Sequence, residues 1–198
     1  MAVTVVKLGI GNTASVLYAL ERLGARATLT DDPAIIAESP RVILPGVGAA
    51  AHAMTQIDRR GLRAVLRAFS RPLLGICLGQ QILFSRSEEG DAEGLARIDG
   101  VVTRLPASPT AISPHMGWSQ LKPTRAHALT EGVTSGDYAY FVHSYVCPLS
   151  ADTLAEARYG APFAAMVTRG NVMGCQFHPE RSGPIGARIL RNFLALPC

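Results

Sequence analysis

The chain has 198 residues, is 48% hydrophobic and 17% charged, and carries a formal net charge of +4. That is the composition of an ordinary soluble globular protein, with room for one α/β domain and a substantial core. Lys and Arg are scattered, so nucleic-acid binding is not indicated; no apolar stretch is long enough to span a bilayer; and Cys77, Cys147, Cys175 and Cys198 match no zinc spacing or disulfide framework, which suits free thiols in a reducing cytoplasm.

Residues 3–8 read as a buried first strand. They run directly into Gly9 and Gly11 without a basic leader, which argues against a signal peptide. Asn12 and Thr13 supply helix-start chemistry, and Val16, Leu17, Leu20 and Leu23 recur at helical spacing up to Gly24. Residues 27–30 form a second strand, followed by the helix-opening Asp31-Asp32-Pro33. A third strand, 41–44, closes on Pro45-Gly46-Val47-Gly48. Leu62, Val65, Leu66 and Phe69 define another helical face, and 73–76 a fourth strand ending at Cys77. This alternation predicts an α/β fold: a mostly parallel central sheet with helices on both faces. Ligands in such sheets bind beyond the carboxyl ends of the strands, where the Pro45-Gly46-Val47-Gly48 loop and Cys77 both sit. The C-terminal half adds further β structure at 101–105, 140–142, 153–157, 163–168 and 172–176, then a helix over 185–194. Without a repeat, low-complexity tract or long linker, one domain over 1–198 is expected.

The segment Gly75-Ile76-Cys77-Leu78-Gly79 carries the most chemistry. A cysteine between an apolar strand and a helical pattern, with glycine two positions to either side, is a nucleophile elbow with sulfur in place of oxygen. The glycines are needed because a side chain at either position would crowd the neighbouring backbone. The following helix would turn its positive end toward the sulfur. Alone, a cysteine at a strand end is more often a small buried hydrophobe.

A cysteine nucleophile needs a base and a group to orient it. In Phe177-His178-Pro179-Glu180 a strand would deliver His178 to the sheet edge, Pro179 would stop it, and Glu180 could turn back to hold the imidazole. Alone, His-x-Glu also describes a solvated loop, and no second His or Cys has zinc-ligand spacing. In Pro45-Gly46-Val47-Gly48 the glycines flanking Val47 permit unusual backbone angles. The N–H of Val47, with that of Leu78, could face a developing oxyanion; the plain alternative is a strand-to-helix turn.

In order and spacing these three motifs resemble the class I, or triad, glutamine amidotransferases, and the resemblance spans nearly the whole chain. Pro114-His115-Met116-Gly117-Trp118, Tyr140-Phe141-Val142-His143-Ser144-Tyr145 and Gly11-Asn12 are similar to the glutaminase subunits of imidazole glycerol phosphate synthases in particular. The resemblance implies hydrolysis of L-glutamine to glutamate and ammonia through a cysteine thioester, with Cys77, His178 and Glu180 as triad and Val47 and Leu78 as oxyanion donors. It implies glutamine binding by Gly46, Gln81, Glu89 and the backbone of His143, Ser144 and Tyr145. Gln81 could instead cap the elbow helix, and Glu88-Glu89 could be a solvated turn. The implied partner is a separate (β/α)₈-barrel cyclase that receives the ammonia, contacted through Asn12, Trp118 and Arg181. No metal or organic cofactor and no membrane or nucleic-acid partner is implied. The chain departs from the family at Gln80, where Met is usual, at Arg181, often Lys, and at Thr13-Ala14, commonly Leu-Arg. Three rivals are a glutaminase serving another synthase, a stand-alone γ-glutamyl hydrolase, and a non-catalytic binding subunit.

Overall fold

The structure is a computed structural model that describes residues 1–11, 13–106 and 111–198. In chain order its elements are β1 (Ala2–Val6), α1 (Thr13–Arg22), β2 (Arg26–Thr30), α2 (Pro33–Glu38), β3 (Val42–Gly46), α3 (Ala50–Arg59), α4 (Leu62–Ala68), β4 (Leu73–Cys77) and the one-turn α5 (Leu78–Gln81). Then follow β5 (Phe84–Ser87), β6 (Ala92–Glu93), β7 (Ile98–Arg104), β8 (His115–Gln120), β9 (Lys122–Pro123), β10 (Tyr138–His143), β11 (Tyr145–Val146), β12 (Thr153–Tyr159), β13 (Ala161–Arg169), β14 (Val172–Cys175) and α6 (Gly183–Ala195).

The central sheet has eight strands in the order β2-β1-β3-β4-β14-β13-β12-β9. The five strands from β2 to β14 are parallel, and the remaining pairs are antiparallel. Strand alternation sends Val5, Ile43, Leu74 and Ile76 to a core shared with α1 and α6. It sends Val6, Val42, Leu44 and Leu73 to a second core beneath α2, α3 and α4. The expected layers are therefore present: helices cover both faces because parallel strands are apolar on both sides. The additional β structure forms a two-stranded β8–β10 ribbon and a four-stranded β11-β7-β5-β6 sheet. Among the described residues no helix is long and apolar enough to cross a membrane.

Asp32 opens α2 as its residue type predicts: its carboxylate accepts the Ala34 N–H at 2.8 Å, and Pro33 occupies the first turn. Two expectations need correction. The elbow helix is a single turn, so its dipole is a minor influence on the sulfur. Helix α3, absent from the sequence reading, follows directly after Gly48 and Ala49; Ala50, Ala53, Met54 and Ile57 form its buried stripe.

The parallel order β3-β4-β14 positions the chemistry. Gly46 pairs with Cys77, and Cys175 pairs with Ile76, so the Pro45-Gly46-Val47-Gly48 loop, the elbow and the His178 segment leave the same sheet edge side by side. The elbow glycines make this contact possible. A Cβ on Gly79 would run into the Leu44 carbonyl, and one on Gly75 into the Gly79 carbonyl. Backbone cannot yield as a flexible side chain can. Gly79→Ala is therefore expected to cost about 3 kcal/mol, read as a lower urea midpoint; unchanged stability would contradict this packing.

Candidate active site

Cys77 sits at the turn itself with φ 54° and ψ −110°. That backbone conformation is strained for a residue bearing a Cβ, and such strain collects at functional turns. The strain holds the side chain above the sheet edge. Its thiol faces the Val142 carbonyl at 3.7 Å, and the Gln176 amide nitrogen approaches the sulfur at 3.8 Å.

His178 reaches the same point from the end of β14. Its backbone N–H donates to the Tyr140 carbonyl at 2.9 Å. The Ser182 hydroxyl donates to the His178 carbonyl at 2.7 Å and accepts the Tyr140 N–H at 3.0 Å. The His178 backbone is thus anchored to β10 on one side and to the start of α6 on the other. Its Nδ1 lies 2.8 Å from Glu180 Oε1, the turn-back expected from the intervening Pro179. Burial of the ring lowers its pKa, but hydrogen bonds to Cys77 and Glu180, with the charges on both, outweigh this and raise it to about 10. The imidazole is therefore protonated at neutral pH, and a cationic imidazolium is the neighbour a nucleophilic sulfur requires.

These groups open into a cavity of ≈ 420 Å³ whose lining includes Cys77, Leu78, Gln81, Glu89, His178 and Val47. His143, Ser144 and Tyr145 line its far side. Of the residues expected around glutamine, only Gly46 lies elsewhere. It lines a smaller chamber of ≈ 180 Å³ behind His178, together with Val47, Glu180 and Arg181. A Cβ at Gly46 would sit 3.1 Å from that of Leu78, so the two candidate oxyanion segments are packed together. Gly48 has φ +89°, a conformation open to glycine at low cost.

The polar side chains have definite partners. Gln81 does not cap the elbow helix: its amide nitrogen donates to the Tyr145 carbonyl at 2.9 Å and to Gln176 Oε1 at 3.0 Å. Glu89 is not simply solvated, since its carboxylate accepts the Ala50 N–H at 2.8 Å at the start of α3. Glu88 accepts the Arg104 N–H. Gln80 is accommodated beneath the elbow by donating to the Ala164 carbonyl at 3.1 Å. Gly174 leaves it room, because a Cβ there would lie 2.7 Å from the Gln80 chain. Sequence reasoning passed over Gln176, the Val142 carbonyl and Ser182. For Gln176 a signal existed: in an extended segment it shares a face with His178.

Trp118 is not core. It is 55% exposed on β8 beside Met116, 63% exposed, and packs edge-on against Tyr140. Arg181 is exposed at the rim of the smaller chamber. Asn12 lies outside the described residues.

A cysteine on an elbow, lining one cavity with a histidine that a carboxylate orients, can perform acyl transfer through a thioester. The glutamine amidotransferase class-I family model matches residues 4–196, and the chain belongs to that family. It is 50% identical over 194 residues to the imidazole glycerol phosphate synthase subunit HisH of Xanthomonas euvesicatoria pv. vesicatoria, covering 98% of this chain and 97% of the relative. The subunit of the same name from Xylella fastidiosa is 48% identical over the same coverage. Among solved structures, a glutamine amidotransferase superposes with TM-score 0.73 at 23% identity, covering 96% of both chains. PurLQS from Thermotoga maritima does so with TM-score 0.72 at 20% identity, covering 98% of this chain and 97% of that one. At those identities the likeness concerns the fold.

Proposed function

We propose that this chain is the glutaminase subunit of an imidazole glycerol phosphate synthase, one domain across 1–198, acting in the cytoplasm in histidine biosynthesis. The carrying observation is that Cys77 and His178 line the same cavity as Gln81 and Glu89, with Glu180 hydrogen-bonded to His178. The near-full-length similarity to the HisH subunits supports the choice among glutaminases.

In this mechanism the glutamine side-chain amide lies over Cys77. The sulfur attacks the carbonyl carbon, and the oxyanion forms against the N–H groups of Val47 and Leu78. A single such donor is typically worth about 3 kcal/mol. Turning the Val47 peptide between its two glycines would therefore switch the rate on or off. The His178 imidazolium gives its proton to the departing nitrogen, releasing ammonia and leaving a γ-glutamyl thioester. The now neutral imidazole takes a proton from water, which attacks the thioester carbon and frees glutamate and the thiolate. Glu180 holds the ring in one tautomer throughout.

The partner would be a (β/α)₈-barrel cyclase docking on the apolar face of the ribbon, around Trp118 and Met116, with Arg181 at the edge. Exposed aromatic side chains of this kind anchor interfaces. Ammonia would leave through the small chamber behind His178 and enter the partner without meeting bulk water.

The test is glutamate release from L-glutamine by the purified chain, alone and with the cyclase and its ribonucleotide ligand. Activity dependent on the cyclase is expected. Trp118→Ala should weaken that association by about 2 kcal/mol, the scale of an interface anchor, visible in calorimetric titration. Full activity without any partner would favour the stand-alone hydrolase instead.

A further inference from the structure

A second group of buried polar side chains lies outside the triad, behind the far wall of the cavity. His115 of β8 and His143 of β10 face each other across the ribbon in register. Both are buried, as is Ser119. His143 Nδ1 lies 2.9 Å from the Tyr145 carbonyl, His143 Nε2 lies 3.0 Å from His115 Nδ1, and His115 Nε2 lies 3.0 Å from the Ser119 hydroxyl.

These distances dictate a direction. A carbonyl oxygen can only accept, so His143 Nδ1 carries the hydrogen. Burial keeps both rings neutral, His115 near 4 and His143 near 3, and a neutral imidazole has one donor and one acceptor. His143 Nε2 is therefore bare and accepts from His115 Nδ1. His115 Nε2 is bare in turn and accepts the Ser119 hydroxyl. Each ring nitrogen is satisfied in only this arrangement, and removing one member orphans the next. The chain ends on the Tyr145 carbonyl, which also accepts from Gln81. Gln81 is joined to Gln176, and Gln176 to the Cys77 sulfur.

We propose that His115 and Ser119 are positioning residues for glutamine: the one-way chain Ser119 to His115 to His143 to the Tyr145 carbonyl holds residues 143–145 in the shape that receives the substrate. It rests on the glutaminase reading, since residues 143–145 matter here as the wall of that cavity. Neither side chain touches the cavity. Both act through the backbone, so the effect should fall on substrate affinity rather than on the chemical step.

His115 is stacked between Phe141 and Tyr159, with ring centroids 5.0 and 4.0 Å away. This makes a clean test possible in the complex with the cyclase. His115→Phe keeps the stack and deletes the chain. It should raise KM for glutamine about 3- to 10-fold, the scale of one lost hydrogen bond, with kcat nearly unchanged. In His115→Asn the amide nitrogen can take the place of Nδ1 and still donate to His143, so KM should return most of the way. Ser119→Ala should raise KM about 2- to 3-fold, by freeing the His115 tautomer. Nitrogen-15 NMR of the imidazoles, which needs no activity, should find the hydrogen of both rings on Nδ1.

A folded His115→Phe with unchanged KM would overturn the proposal, as would a His143 hydrogen on Nε2. Should His115→Phe fail to fold, Ser119→Ala and the tautomers decide in the same way. A merely structural role would lower the melting temperature without moving KM, and that outcome also counts against it. Absence of glutamine hydrolysis by the unmodified complex would remove the glutaminase reading and this proposal with it.

Discussion

Cys77→Ala is expected to lower glutamine hydrolysis roughly 10⁴-fold or more, the scale for losing a nucleophile, while leaving the fold and the proposed cyclase interaction intact. Removal of the sulfur deletes the atom proposed to form the thioester. The fold should survive because alanine also bears a Cβ, so the strained backbone at φ 54° is neither relieved nor worsened. The sulfur's own contacts are weak ones, at 3.7 and 3.8 Å. Cys77→Gly sharpens the test. It should be equally inactive but more stable than Cys77→Ala by about 1 kcal/mol, the difference between about 2 kcal/mol of strain that a Cβ stores in such a conformation and roughly 1 kcal/mol of entropy that glycine loses on folding. Glutamate release and urea unfolding measured on the same two variants separate the quantities. Substantial hydrolysis by either would exclude a Cys77 thioester. Equal stabilities would mean that the strain at the elbow does not exceed the entropy cost of glycine, roughly 1 kcal/mol.

Glu180→Gln is expected to cost roughly 10²- to 10⁴-fold in kcat/KM, as when the orienting carboxylate of a triad is made neutral. The larger figure applies if the amide nitrogen turns toward Nδ1 and forces the wrong tautomer. The pH dependence distinguishes this from simple disruption. In the folded protein His178 titrates at about 10 rather than at its ordinary 6.5. The native state therefore binds a proton that the unfolded chain releases between those values. The stabilisation is complete below 6.5 and is lost as pH rises through about 10. Glutamine would remove the carboxylate charge and much of the hydrogen bond. The His178 value should fall, and with it the alkaline limbs of both kcat/KM and melting temperature should move toward neutrality. An alkaline limb unchanged in the variant would mean that Glu180 does not set the His178 proton affinity.

The first half of the fold was legible because its strands are apolar on both faces and its helices carry one apolar stripe. Those two periods differ clearly over β1, α1 and β3. Helix α3 escaped notice because Pro45, Gly46 and Gly48 break the apolar run just before it, although Ala53, Met54 and Ile57 have helical spacing. Strand β8 escaped for a different reason. Its inward residues, His115 and Ser119, are polar, while its outward ones, Met116 and Trp118, are apolar. The usual hydrophobic alternation is therefore inverted, and only a buried hydrogen-bond chain makes the inward face tolerable.

The sequence alone determined the parts of the site that depend on near neighbours. Glycines two positions either side of Cys77 define a sharp elbow because the steric clash they avoid is with backbone a few residues away. His178 and Glu180 pair because they stand two positions apart with a proline between them. Tertiary structure decided everything that joins distant segments. Cys77 meets His178 because β14 inserts beside β4 in parallel, a pairing chosen by burial of two-sided apolar strands and not by any local signal. His115 reaches His143 through the register of the β8–β10 ribbon, and Gln176 reaches Gln81 because the end of β14 passes beside the elbow helix. The hydrogen bonds they form follow from where the backbone puts them, and residue type alone could not name the partner.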